Sequence, residues 1–130
     1  VASAAGTIIE KFDGEFDKNC NITADLGEAN TIVILHYDGS IAIYAHLKKG
    51  STTNKEIGDT VSQGENLGKV GSSGASNGPH LHFELFDSEF QLVDPFGGPW
   101  ACSGGGYYDT AVSWISHGPT ATVWNIAQCS

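Results

Sequence analysis

Basic side chains are scarce in this sequence: Lys and Arg together number 6 against 15 Asp and Glu, for a formal net charge of -9 over 130 residues. A nucleic-acid surface neutralises phosphates with lysine and arginine, and Lys48, Lys49 and Lys55 are too few to build one, so no nucleic-acid partner is expected. Long apolar runs are missing as well. The longest, Thr31 to Leu35, falls far short of the roughly 20 residues that cross a bilayer, so no membrane partner is expected. The first residues lack the charged and apolar regions of a signal peptide, and any targeting segment is expected to have gone already. Proline is sparse, with 4 residues, and no helix-length amphipathic pattern is present. What is abundant is glycine, 17 residues, between short apolar runs bounded by Asn, Asp and Ser. This pattern predicts an all-β domain, a compact antiparallel β-sandwich or barrel-sandwich of short strands with Gly-rich loops. The length suits one domain with a single core.

Cysteine is limited to Cys20, Cys102 and Cys129. An odd count leaves at least one thiol for a partner outside the chain or for none. A Cys102 to Cys129 disulfide is expected to tie down the C-terminal tail, because closing a loop of that length contributes roughly 3 to 4 kcal/mol in the chain-entropy model. Cys20 then needs a partner elsewhere.

Along the chain, Gly6 to Phe12 reads as a strand and Asp13 to Asn30 as a polar, acidic loop. Thr31 to His36 is apolar on both faces, as in a central strand, and Asp38-Gly39 turns it into Ser40 to Leu47. In that second arm Ile41, Ile43 and Ala45 point one way and Ala42, Tyr44 and His46 the other. Lys55 to Gly71 reads as very short strands punctuated by glycines. Gly71 to Pro79 is a flexible loop of small residues leading into His80 to Phe86, where Leu81, Phe83 and Leu85 are expected to face the core and His80, His82 and Glu84 the other side. Beyond Asp94-Pro95 the chain turns to Gly, Trp and Tyr, with one further strand expected over Thr120 to Ile126. Tyr107, Tyr108, Trp114 and Trp124 read as packing residues rather than a ligand-contacting surface. The division is therefore residues 1–96 as the functional domain and 97–130 as a tail packed on it.

Two imidazoles two residues apart on a strand, His80 and His82, share one face at a spacing that serves a tetrahedral zinc site. His46 ends a different strand and is expected to converge on them. A loop of small residues before the pair allows close approach of a substrate backbone. His36 reads as an ordinary strand-end histidine and His117 as a turn residue. Glu84 reads as a hydrogen-bonded or solvent-facing neighbour.

The segments Ile43-Tyr44-Ala45-His46-Leu47 and Gly78-Pro79-His80-Leu81-His82-Phe83-Glu84-Leu85 resemble the two downstream signatures of the lysostaphin and β-lytic type zinc metalloendopeptidases. Ile57 to Val61 and Gln63 to Gly71 resemble that family's linking strands, and Val1 to Gly6 looks like the stretch after its first metal motif. The resemblance covers residues 1 to about 96. It implies His82 as a ligand of zinc (Zn2+), with His46 and His80 as catalytic histidines. The family's upstream His and Asp ligands have no match here. Asp13, Asp17 and Asp25 lie downstream of where that motif belongs and are not ligand candidates. Catalytic zinc sites use three protein ligands, so the expectation is that an earlier segment of the same polypeptide, or another chain, completes the site.

The function implied is zinc-dependent endopeptidase action on glycine-rich peptides, in peptidoglycan cross-bridges or in proteins such as elastin, by a secreted or periplasmic protein. The competing readings are a non-catalytic peptidoglycan-binding or hydrolase-activating domain of the same fold, and a biotinyl or lipoyl carrier suggested by Lys55 to Gly71. The carrier reading lacks a lysine in the right setting.

Overall fold

The structure, a computed structural model, describes residues 1–20 and 27–93. Its strands are β1 (Gly6–Phe12), β2 (Thr31–His36), β3 (Ile41–Ala45), β4 (Thr60–Val61), β5 (His82–Phe86) and β6 (Leu92–Val93). They form one antiparallel sheet in the order β4-β1-β2-β3-β5-β6, with no helix among the described residues. The all-β expectation therefore holds, with these strands in a single sheet.

Strand pairing sorts the side chains into two faces. On one, Ile8 lies opposite Ile34, Ile34 opposite Ala42, Ala42 opposite Leu85 and Leu85 opposite Val93. A second row on the same face runs from Ile32 through Tyr44 to Phe83, and the Tyr44 and Phe83 rings tilt together at 5.2 Å. These rows are the core. Ile8, Ile32 and Ile34 are fully buried, and each contributes about 1.5–3 kcal/mol over an exposed placement. Ala2, Leu47, Val61 and Leu67 close the core from the loops and from β4.

The opposite face carries Val33, Ile43 and Glu84 in one row and Ala45 beside His82 in the next. It is covered less completely than the core face, and Leu35 remains 38% exposed. The β2–β3 hairpin forms where expected. Gly39 adopts φ +86°, His36 N donates to Ser40 O at 2.8 Å, and Asp38 Oδ1 accepts from Ser40 N.

Two expectations require correction. Leu81 does not join Phe83 and Leu85 at the core but is 44% exposed. The ladder of β5 begins at His82, opposite Ala45, and β3 ends there, so no strand opposes Leu81. Between Lys55 and Gly71 only Thr60–Val61 forms a strand, with one bridge from Val70 to Leu47. Glycines in left-handed conformations, Gly58 at φ +96° and Gly64 at φ +78°, turn the chain before a longer ladder can extend.

Cys102, Cys129, the Thr120 to Ile126 strand and the aromatic residues of the tail lie outside the described residues.

Candidate functional site

His82 opens β5 on the sheet face away from the core. Period-two alternation puts Glu84 on the same face, and His82 Nε2 meets Glu84 Oε1 at 2.7 Å. A carboxylate accepts, so this contact places the ring proton on Nε2 and leaves Nδ1 with its lone pair when the imidazole is neutral.

His80 lies just before the strand, at the end of the 71–79 loop. Its Nδ1 donates to Gly78 O at 2.8 Å, which leaves Nε2 free. The loop is held more firmly than its composition suggested. Ser72, Ser73 and Ser76 are buried, and Ser72 Oγ reaches both Asn19 O and Ser76 Oγ. Ser76 Oγ in turn donates to Gly78 O at 2.8 Å, and His80 N donates to Gly71 O. Small residues serve here to let this stretch bury its backbone against its neighbours; Ala75 and Asn77 stay exposed.

His46 follows β3, and its position departs from simple alternation. Continued β-structure would carry it to the core face with Ala42 and Tyr44, away from His82. Instead its φ is +61°, a left-handed conformation that few non-glycine residues adopt, and the chain turns the ring toward the paired histidines. Its Nδ1 donates to Ser73 O at 2.6 Å, leaving Nε2 free.

The three rings meet. The His46 ring centroid lies 4.7 Å from that of His80 and 5.4 Å from that of His82. One ligating nitrogen from each of His46, His80 and His82 lies within 4.8 Å of the others. His46 and His82 are half-buried and His80 is exposed, so the cluster opens to solvent on one side. Burial holds the His46 imidazole below its ordinary value; the Ser73 carbonyl pulls the other way, while His80 and His82 depress it further. His46 therefore stays neutral to lower pH than a free histidine.

The donor set suits zinc, since each ring has one nitrogen committed to a protein acceptor and one left to bind or exchange a proton. All three histidines singled out in the sequence converge here. His36 does not: it ends β2 and its Nδ1 contacts Ala5 O at 3.0 Å. Asp13 and Asp17 are spent on loop groups: Asp13 accepts from Gly50 N and from the Thr52 amide and hydroxyl, and Asp17 from Lys49 N. His117 and Asp25 lie outside the described residues. The roles of the Ser73 carbonyl and of Asn30, which packs beside it, had no sequence signal, whereas Glu84 was signalled by its two-residue spacing from His82.

The family model of peptidase family M23 matches residues 1–95. The chain belongs to peptidase family M23. Among M23 relatives, the cell division protein DipM of Caulobacter vibrioides is 40% identical over 78 residues, which cover 60% of this chain and 12% of DipM. The glycyl-glycine endopeptidase ALE-1 of Staphylococcus capitis is 38% identical over 65 residues, 49% of this chain and 17% of ALE-1. The catalytic domain of the antimicrobial peptidase lysostaphin from Staphylococcus simulans superposes with a TM-score of 0.53 at 28% identity, covering 72% of this chain and 64% of that domain. The chain thus spans a small fraction of these full-length relatives.

Proposed function

We propose that this M23 domain is a zinc metalloendopeptidase that hydrolyses glycine-rich peptide bonds, with peptidoglycan cross-bridges as the leading substrate and Gly-rich proteins such as elastin as a second. The observation that carries the reading is the convergence of His46, from the end of β3, on His80 and His82 at the start of β5. Nothing in core packing calls for three half-open imidazoles in one place, and one of them occupies a strained backbone conformation to be there.

His82 would hold the zinc through Nδ1, its ring fixed by Glu84. An upstream His and Asp, from an earlier segment of the polypeptide or from another chain, would complete the three protein ligands that such sites use. Zinc, when bound, supplies Lewis acidity that makes water acidic enough to attack a peptide carbonyl near neutral pH. His46 and His80 present free Nε2 atoms on the open side of the cluster. One ring would accept a proton from the attacking water at Nε2 and, so protonated, face the carbonyl oxygen as charge develops there before passing that proton to the departing amine, while the other ring orients the water through its own Nε2. Burial keeps His46 neutral and ready for the first of these tasks.

Glycine preference follows from access. The face beside the cluster is bounded by the tightly held 71–79 loop, and a Gly-Gly bond brings no side chains to collide with it. The likeness to ALE-1, a glycyl-glycine endopeptidase, supports such a substrate. Cys20 is disulfide-bonded, and peptide mapping without reductant identifies its partner.

The test is hydrolysis of a pentaglycine-bridged peptide by the full polypeptide. Cleavage should stop on removal of metal by a chelator and return with one equivalent of zinc. Tight zinc binding without cleavage would support the non-catalytic alternative, and cleavage that persists in chelator would remove the metal from the account.

A further inference from the structure

The His46 ring is aimed by a backbone carbonyl, and what holds that carbonyl is a buried polar network outside the histidine cluster. Ser73 O accepts from His46 Nδ1 at 2.6 Å. The Ser73 hydroxyl donates to Leu47 O at 2.9 Å and accepts from Asn30 N at 2.9 Å. Asn30 spends its side chain completely: Nδ2 donates to Leu47 O and to Glu15 O, each at 3.0 Å, and Oδ1 accepts from Glu15 N at 2.8 Å. Its own carbonyl accepts from Leu47 N at 3.0 Å. Asn30 and Ser73 are both 0% exposed.

The network surrounds one residue, Leu47. Leu47 O takes two donors and Leu47 N has its acceptor, so the residue after His46 is fixed in every polar direction. On the other side His46 O accepts from Gly71 N at 2.9 Å. The 72–74 segment is tied to Asn30 through the Ser73 hydroxyl, and Gly74, at φ +66°, packs so closely on Ala29 that a Cβ there would sit 2.9 Å from its backbone. The peptide that follows His46 is therefore held from both of its edges, with His46 in a left-handed conformation that costs about 1–2 kcal/mol for a residue with a side chain.

We propose that Asn30 and Ser73 are positioning residues for His46, holding its Nδ1–H on the Ser73 carbonyl so that Nε2 faces the reacting groups. The inference rests on the reading of His46 as a proton-transferring residue. A fully buried asparagine is expensive unless every polar atom is paired; here one Nδ2 bond and both backbone groups go to Leu47 and Ser73 beside the ring, while Glu15 takes the remaining two bonds. A closing of the Asp13 to Asn30 loop alone would need only the Glu15 contacts. The contacts to Leu47 and Ser73 tie that loop to the histidine.

The experiment compares Ser73→Ala and Asn30→Ala with Val61→Ala, a core truncation in β4 remote from the network. Long-range proton–nitrogen NMR spectra of the histidine rings in the metal-free chain report which His46 nitrogen carries the proton. The wild type should show Nδ1–H, and both network variants a mixture of tautomers. In the zinc-loaded full polypeptide, kcat should fall roughly 10- to 100-fold with KM and zinc content unchanged, as misplacement of a reacting group implies. Ser73→Ala leaves the carbonyl in the chain and removes only the hydroxyl, so it keeps the question answerable where Asn30→Ala fails to fold. An unchanged His46 tautomer in the network variants, or an equal fall of kcat in Val61→Ala, overturns the proposal. A wild type that binds zinc and cleaves nothing sinks the functional reading instead, while the tautomer spectra still decide whether Asn30 and Ser73 orient the ring.

Discussion

At the scale of single residues, the site is a set of choices about which ring nitrogen is occupied. Glu84 takes Nε2 of His82, Gly78 O takes Nδ1 of His80, and Ser73 O takes Nδ1 of His46. Removing the first should weaken metal binding without touching the fold. For Glu84→Ala, zinc affinity measured by chelator competition should drop roughly 10- to 100-fold, with Glu84→Gln retaining more because its amide oxygen still accepts. Affinity unchanged in Glu84→Ala would mean that His82 is oriented by something else. His46→Asn tests the next step. Asparagine tolerates the left-handed conformation, so the protein should fold and bind zinc while kcat falls roughly 100- to 10,000-fold, as the loss of a general acid–base group implies. The paired histidines were legible in the sequence because a two-residue repeat on a strand needs only alternation. His46 was legible as a candidate but not as a geometry: alternation puts it on the wrong face, and only the positive φ reverses that. Asn30 carried no signal at all, since a loop asparagine in sequence looks the same whether exposed or fully buried.

At the scale of elements, β2 is the strut between β1 and β3, and its inward residues Ile32 and Ile34 are fully buried. Ile34→Ala should destabilise the domain by about 2–5 kcal/mol in chemical denaturation, because it leaves a cavity between Ile8 and Ala42. The Asp13 to Asn30 loop depends instead on charge. Burial opposes ionisation of Asp13, but hydrogen bonds from the Thr52 hydroxyl and from the Gly50, Thr52 and Gly14 amides outweigh it and hold the carboxyl below its ordinary value of 3.8. A depressed carboxylate stabilises the fold above its unfolded pKa, and that contribution disappears as pH falls through the lower folded value. Asp13→Asn should therefore cost about 1 kcal/mol at neutral pH and flatten the acid limb of the stability curve below pH 3.8. An acid limb as steep as that of the wild type would show that Asp13 is not the group responsible. These strands were visible because apolar alternation and the Asp38-Gly39 turn state both period and boundary. The stretch from Lys55 to Gly71 was harder, since its apolar residues fit short strands equally well as the loops that its left-handed glycines impose. Leu81 was misplaced for a related reason: its apolar side chain matches the core period, but whether a strand faces it depends on where β3 ends.

At the scale of the whole molecule, the sheet separates two tasks between its faces. One buries Ile8, Ile32, Ile34 and Tyr44, and the other gathers three imidazoles at the open end of the β3–β5 pair. All-β class and the three histidines that meet followed from composition and motif, whereas the order of the strands required pairings between segments distant in sequence that no local pattern states. The most direct test of the site is anomalous scattering at the zinc edge from crystals of the full polypeptide grown with zinc. The account predicts one peak at His82, among the three clustered rings of His46, His80 and His82. A peak elsewhere on the molecule, or none between the three rings, would contradict it.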